Sequence, residues 1–170
     1  MIVEPLDAPS IRPTIASDVA ALKGIIDATD LFPSELLEDM IAPFFGVPCE
    51  ERWLTAVAAD ALAGVAYFVR ERMTEGTWNL LLTAVHPNLQ RRGIGTELMR
   101  FIEDTLTANG ERILIVETSG LPAFLSTREF YQHIGYEEEA RIRDFYKSGE
   151  DKVVFRKTLS SKAEEDRVEE

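Results

Sequence analysis

Two periods of apolar and polar positions alternate along the chain and mark its elements. Val19, Leu22, Ile25 and Ile26 fall at helical spacing after Ser17-Asp18, which predicts a helix with Ser17 as N-cap and Asp18 in its first turn. A second helix is expected from Ser34, burying Leu36, Leu37, Met40 and Ile41 before Pro43 disrupts it. From Trp53 the period becomes strand-like, giving 53–59, 62–70 and 78–85 as a three-stranded antiparallel meander broken at Asp60-Ala61 and around Thr74-Glu75-Gly76. Ile94, Leu98, Phe101, Ile102 and Leu106 then form one stripe of a helix that stops at Asn109-Gly110. Ile113-Leu114-Ile115-Val116 reads as a strand covered on both faces and parallel to the strand ending at Val85, joined to it by a right-handed crossover. Residues 122–134 suggest a further helix carrying Phe124, Phe130, Tyr131 and Ile134. Residues 136–146 and 152–159 suggest two strands around a turn at 147–151. Ile11-Arg12-Pro13 is placed as a short edge strand, since proline is tolerated only at sheet edges. The fold class expected is α/β (α+β), with a mixed, mostly antiparallel sheet of six to seven strands flanked by about four helices. Residues 1–10 read as an irregular arm, 11–159 as a single domain and 160–170 as a charged tail.

Between Val85 and Ile94 the pattern is interrupted by His86-Pro87 and then Gln90-Arg91-Arg92-Gly93-Ile94-Gly95. Two glycines and two arginines where a helix begins put unpaired backbone N–H groups and the positive end of the helix dipole beside real cations. That arrangement suits phosphate oxygens. The overall charge sharpens the point: a formal net charge of −12 argues against general nucleic-acid or anionic-membrane binding, so an anionic ligand would have to be caught locally. With 45 % apolar and 28 % charged residues the composition is that of a globular protein. No apolar run approaches a membrane span, and Met1-Ile2-Val3-Glu4-Pro5 lacks a basic-then-apolar leader, so the expected location is cytoplasmic. Cys49 is the only cysteine and reads as structural, and His86 and His133 lack a second ligand at metal spacing, so no metal is expected.

The segment Gln90-Arg91-Arg92-Gly93-Ile94-Gly95 resembles the Gln/Arg-x-x-Gly-x-Gly/Ala signature of the GCN5-related N-acetyltransferases, preceded by Leu82-Thr83-Ala84-Val85-His86-Pro87, which is similar to that family's fourth strand and exit turn. Phe130-Tyr131-Gln132-His133-Ile134-Gly135-Tyr136 resembles its second signature, at the end of the fourth helix. The resemblance implies transfer of an acetyl group from acetyl-CoA to a primary amine by direct attack in a ternary complex. It places Thr83, Ala84 and Val85 along the pantetheine arm. The pyrophosphate falls on the N–H groups of Arg91, Arg92, Gly93, Ile94, Gly95 and Thr96, with Gln90 also among the cofactor-binding residues. Tyr131 matches the family's general acid toward the departing thiolate, with the oxyanion held by a backbone N–H near Val85. Glu117, directly after four apolar residues, matches a position some members use for the general base; Asp144 and Glu75 are weaker candidates.

Two departures stand out. Where many relatives carry an asparagine that bonds the cofactor arm, this chain has Phe124, and Ser119 is the candidate replacement. The acceptor side would be built from Thr29 to Phe45 and from Arg141 to Lys152, where Glu35, Glu38 and Asp39 suit a cationic acceptor or simply face solvent. The acceptor expected is a small-molecule amine or a protein amine, with homodimer pairing through the last strands implied by the family. The alternative from another class is a catalytically silent acyl-CoA-binding sensor or partner module.

Overall fold

The computed structural model describes residues 8–46 and 48–160. Most of the expected arm at 1–10 and nearly all of the expected tail at 160–170 lie outside the described residues. The strands are β1 (Ser10–Pro13), β2 (Glu51–Ala58), β3 (Ala61–Arg70), β4 (Thr77–Val85), β5 (Ile113–Ser119), β6 (Glu137–Lys147) and β7 (Glu150–Thr158). The helices are α1 (Val19–Thr29), α2 (Leu37–Gly46), α3 (Ile94–Ala108) and α4 (Leu125–His133). The strands form one seven-stranded sheet in the order β1-β2-β3-β4-β5-β7-β6. β4 and β5 run parallel, from Thr77↔Ile113 to Leu80↔Val116, whereas β1–β2, β5–β7 and β7–β6 are antiparallel. This is the mixed, mostly antiparallel sheet with four helices that the periodicity predicts.

The chain forms two compact units. One comprises the described residues up to Phe68 together with Leu82–Phe101; the other comprises Val69–Leu81 and the described residues from Ile102 onward. In the first, Leu22, Ile25 and Ile26 of α1 and Leu37 and Ile41 of α2 pack on Trp53, Val65, Leu82 and Ala84 of the sheet. Trp53 is fully buried and stacks on Tyr67 at 4.2 Å between centroids. The Tyr67 hydroxyl is pushed up to about 12, first by burial and then by Glu51. In the second, Leu114, Val116, Val153 and Phe155 are buried, and Tyr131 packs against Tyr136 and Phe155.

Several local features differ from the pattern of the sequence. Ser17 is not the cap of α1: a 3-10 turn spans Ala16–Asp18, and the Asp18 carboxylate accepts the Ile15 N–H at 2.9 Å and a two-pronged bond from Arg12 at 2.7 and 2.9 Å. Residues 34–36 are likewise a 3-10 turn, leaving Leu36 exposed, and α2 continues through Pro43 to Gly46. On α3 the buried residues include Met99, while Phe101 is exposed, because a helical stripe can drift by one position without breaking its period. The β2–β3 turn is made at Ala59-Asp60, both left-handed, as a tight hairpin requires. β5 alternates instead of being covered on both faces: Leu114 and Val116 are buried, Ile113, Ile115 and Glu117 half-buried. The β6–β7 turn shrinks to Ser148-Gly149.

Candidate functional site

In the first unit, β4 delivers the chain to a turn built for a close backbone approach. His86 donates its N–H to the Ala63 carbonyl at 2.8 Å, which anchors the exit of β4 to β3. A 3-10 turn over Pro87–Leu89 follows, capped by the His86 Nδ1, which accepts the Asn88 N–H. Gln90 folds back so that its Nε2 donates to the Val85 carbonyl at 3.0 Å. Arg91 and Gly93 then both adopt left-handed backbone, with φ of 60° and 81°, and α3 starts at Ile94. Alternation of left- and right-handed residues turns successive N–H groups toward one side, which is how a backbone concavity for an anion is made. Gln90, Arg91, Arg92 and Gly93 are exposed, Gly95 and Thr96 half-buried, and Ile94 is buried as the anchor of α3.

Among the described residues neither Arg91 nor Arg92 is ion-paired. A Cβ added at Gly93 would meet open space. Beside this turn a cavity of about 350 Å³ is lined by Arg92, Gly93, Ile94 and Thr96 with Pro9 and Ala58. On β4 the Thr83 hydroxyl is buried without a hydrogen-bond partner among the described residues. A buried hydroxyl normally has a partner, so this one fits a polar ligand lying along the strand. Ala84 faces Gly64 of β3 so closely that a Cβ there would sit 2.9 Å from the Ala84 carbonyl oxygen.

In the second unit, Glu117 sits half-buried near the end of β5. Its Oε1 accepts Asn79 Nδ2 at 2.9 Å and Lys152 Nζ at 2.7 Å. The Asn79 side chain, almost wholly buried, also donates to Glu71 Oε1 at 2.8 Å, and its own Oδ1 has no partner among the described residues. The Lys152 ammonium lies 4.1 Å from the centre of the Phe145 ring. The Tyr146 hydroxyl is pushed up by burial first and then by the negative charges of Glu117 and Glu150. Tyr131 is buried among Phe130, Tyr136 and Phe155. Tyr136 donates to Glu103 Oε1 at 2.8 Å, and burial with that carboxylate drives its hydroxyl far above the usual tyrosine range.

The remaining candidates have local structural partners. Ser119 Oγ accepts the Leu121 N–H at 3.1 Å in the link to α4, and Phe124 lies half-buried in the 3-10 turn before that helix. Asp144 adopts left-handed backbone and its Oδ1 accepts the Gly149 N–H, which closes the hairpin. Glu75 is in an exposed turn, where its carbonyl accepts Arg112 Nε. Glu38 pairs with Lys23 at 2.6 Å. Among the described residues there is no cluster of ligands that could hold a metal, and no helix is long and apolar enough to cross a membrane. Sequence reasoning passed over Asn79 and Lys152. The signal for the first was a lone amide between Trp78 and Leu80 in an otherwise apolar strand, since a polar side chain buried there must find partners.

Comparison with known proteins gives a consistent picture. The family model of the GNAT acetyltransferase domain matches residues 50–138. A GNAT-family protein from Desulfovibrio desulfuricans superposes with a TM-score of 0.83 at 28 % identity, covering 89 % of this chain and 99 % of its own. The ribosomal-protein-S18-alanine N-acetyltransferase of Escherichia coli superposes at 0.75 with 21 % identity, covering 90 % and 95 %. An aminoglycoside 6'-N-acetyltransferase complexed with coenzyme A superposes at 0.71 with 17 % identity, covering 88 % and 97 %. No curated protein matches the sequence.

Proposed function

The chain belongs to the GNAT acetyltransferase family of acyl-CoA-dependent N-acyltransferases, and from that premise we propose that it transfers an acetyl group from acetyl-CoA to a primary amine by direct attack within a ternary complex. The observation that carries the reading is the turn at the head of α3, where Arg91 and Gly93 take left-handed backbone beside two guanidinium groups without an ion pair among the described residues. Gln90, Arg91, Arg92, Gly93, Ile94, Gly95 and Thr96 would hold the pyrophosphate of the donor. Thr83, Ala84 and Val85 would hold its arm, the Thr83 hydroxyl gaining the partner it lacks within the described chain.

Bound acetyl-CoA supplies an electrophilic thioester carbonyl and a thiol leaving group; the chain manages the protons. An alkyl ammonium must lose one proton before its nitrogen can attack, and Glu117 is the carboxylate assigned to receive it. Asn79 holds the accepting oxygen in place through a bond of 2.9 Å. Lys152 compensates the charge of the carboxylate at rest. Tyr131 is assigned the proton delivered to the sulfur as the carbon–sulfur bond breaks. Neighbours of the same fold act on a ribosomal protein's alanine and on aminoglycosides, so both protein α-amines and small-molecule amines are candidate acceptors.

The test follows free-thiol release from acetyl-CoA against a panel of peptides with free α-amines, aminoglycosides and simple diamines. At least one class is expected to raise release above hydrolysis. Tight coenzyme A binding with no productive acceptor would instead support a silent acyl-CoA-binding module. Within the enzyme, Tyr131→Phe is expected to lower kcat by about 100-fold with the affinity for coenzyme A unchanged. A wild-type rate would remove the acid role.

A further inference from the structure

The amine nearest the assigned base is one of the protein's own. Lys152 lies on β7 directly opposite Ser119 of β5, while Glu117 is opposite Val154, so Lys152 and Glu117 are diagonal neighbours on one face of the sheet. Lys152 Nζ is 2.7 Å from Glu117 Oε1, and the Lys152 side chain is only 11 % exposed. The Phe145 ring lies against the ammonium on another side. Its carboxylate partner is fixed in turn by Asn79, which is tied to Glu71. Lys147 is far more exposed, at 71 %, and its contact with Glu150 is looser, at 3.7 Å. Lys157 is engaged by Glu103 and the Ile134 carbonyl. A largely desolvated ammonium held against a proton acceptor is what an acceptor amine becomes just before it attacks a thioester.

We propose that Lys152 is a self-acetylation site: the enzyme transfers an acetyl group from acetyl-CoA to Lys152 Nζ in cis, with Glu117 as the base. The inference rests on the assignment of Glu117 made above. One proton passes from the ammonium to Glu117, and the freed nitrogen forms a bond to the thioester carbonyl carbon. The carbon–sulfur bond then breaks, the thiolate takes the proton assigned to Tyr131 and leaves as free coenzyme A, and the second nitrogen proton returns Tyr131 to its neutral form. The product is a neutral amide at Lys152, which cancels the ion pair and leaves Glu117 held by Asn79.

The experiment incubates the purified full chain with acetyl-CoA alone and maps acetylated lysines by mass spectrometry over time. Lys152 is expected to acquire an acetyl group about tenfold or more faster than Lys147, despite lower exposure, with a rate constant independent of protein concentration. Glu117→Gln, which keeps the shape and can still accept from Asn79, is expected to bring Lys152 down to the background of the other lysines. The site is overturned if Lys147 reacts as fast as Lys152, if the rate rises with protein concentration, or if Glu117→Gln leaves the Lys152 rate unchanged. Should that variant fail to fold, the comparison of Lys152 with Lys147 in the unaltered chain decides alone. Acetylation of panel amines with Lys152 untouched would defeat self-acetylation and leave the proposed function standing. Transfer to neither would defeat both.

Discussion

Replacing Asp18 by asparagine is expected to remove about 2–3 kcal/mol of stability from the unit that carries the α3 turn. Asp18 is 3 % exposed and receives four bonds: two from Arg12, one from the Ile15 N–H, and one from Thr55 Oγ1 at 3.3 Å. Asparagine keeps the shape but turns one accepting oxygen into a donor facing a guanidinium, so one prong of the Arg12 bond becomes a repulsion. Breaking a fully buried pair costs about 3–5 kcal/mol. Arg12 is 36 % exposed and can recover part of its hydration, which places the expected value lower. Urea unfolding followed by tryptophan fluorescence reports on this unit through Trp53; with a slope of about 2 kcal/mol per molar, the midpoint is expected to fall by about 1 M. The pH dependence supplies a second check. The Arg12 bond holds the Asp18 carboxyl below its ordinary value against the opposing effect of burial. Its contribution is therefore complete above the unfolded value, about 3.9, and is lost as pH falls through the lower folded value. The gap between the two proteins is expected to narrow as the pH falls below the ordinary carboxyl range and Asp18 takes up its proton. A loss under about 0.5 kcal/mol at pH 7, or a gap unchanged in acid, would refute the argument.

Gly64→Ala is expected to cost about 1–3 kcal/mol in the same unfolding assay, because the new methyl would lie 2.9 Å from the Ala84 carbonyl oxygen and 3.2 Å from Leu98 Cδ1; a neutral result would mean that β4 yields freely there. Gly93→Asp is expected to weaken coenzyme A binding by calorimetry at least tenfold, about 1.4 kcal/mol. Gly93→Asn, equally suited to left-handed backbone but uncharged, is expected to lose less; equal losses would point to backbone strain instead of charge at φ 81°.

What the sequence discloses about this fold depends on how local each cause is. The strands and helices follow from periodicity because a sheet face or helix stripe is written in neighbouring residues. The turn at the head of α3 is legible for the same reason: Arg91, Arg92 and Gly93 and the start of α3 are contiguous. The role of Asp18 is not written locally, because its principal partner, Arg12, comes from another element, and spacing along the chain does not reveal a cross-element carboxylate–guanidinium pair. The surroundings of Glu117 were hidden more deeply. Asn79 reaches it through the parallel register of β4 on β5, and Lys152 through the antiparallel register of β7 on β5. Neither register can be counted from the sequence, because a shift of one residue sends every side chain to the opposite face.

The last strand of the sheet order, β6, is exposed at all of its positions, including Ile142, Phe145 and Tyr146. An open edge with apolar and aromatic side chains invites other strands to add on, the first step toward aggregation. This one is protected by its order of charges: Glu137, Glu138 and Glu139 at one end, then Arg141 and Arg143, then Asp144 and Lys147. Its register with β7 also shifts on either side of the stretch from Ala140 to Ile142, and Asp144 turns left-handed, so the edge is not a straight template. A strand able to extend this sheet would need both a complementary charge order and a matching irregularity, a demand that excludes most chance encounters.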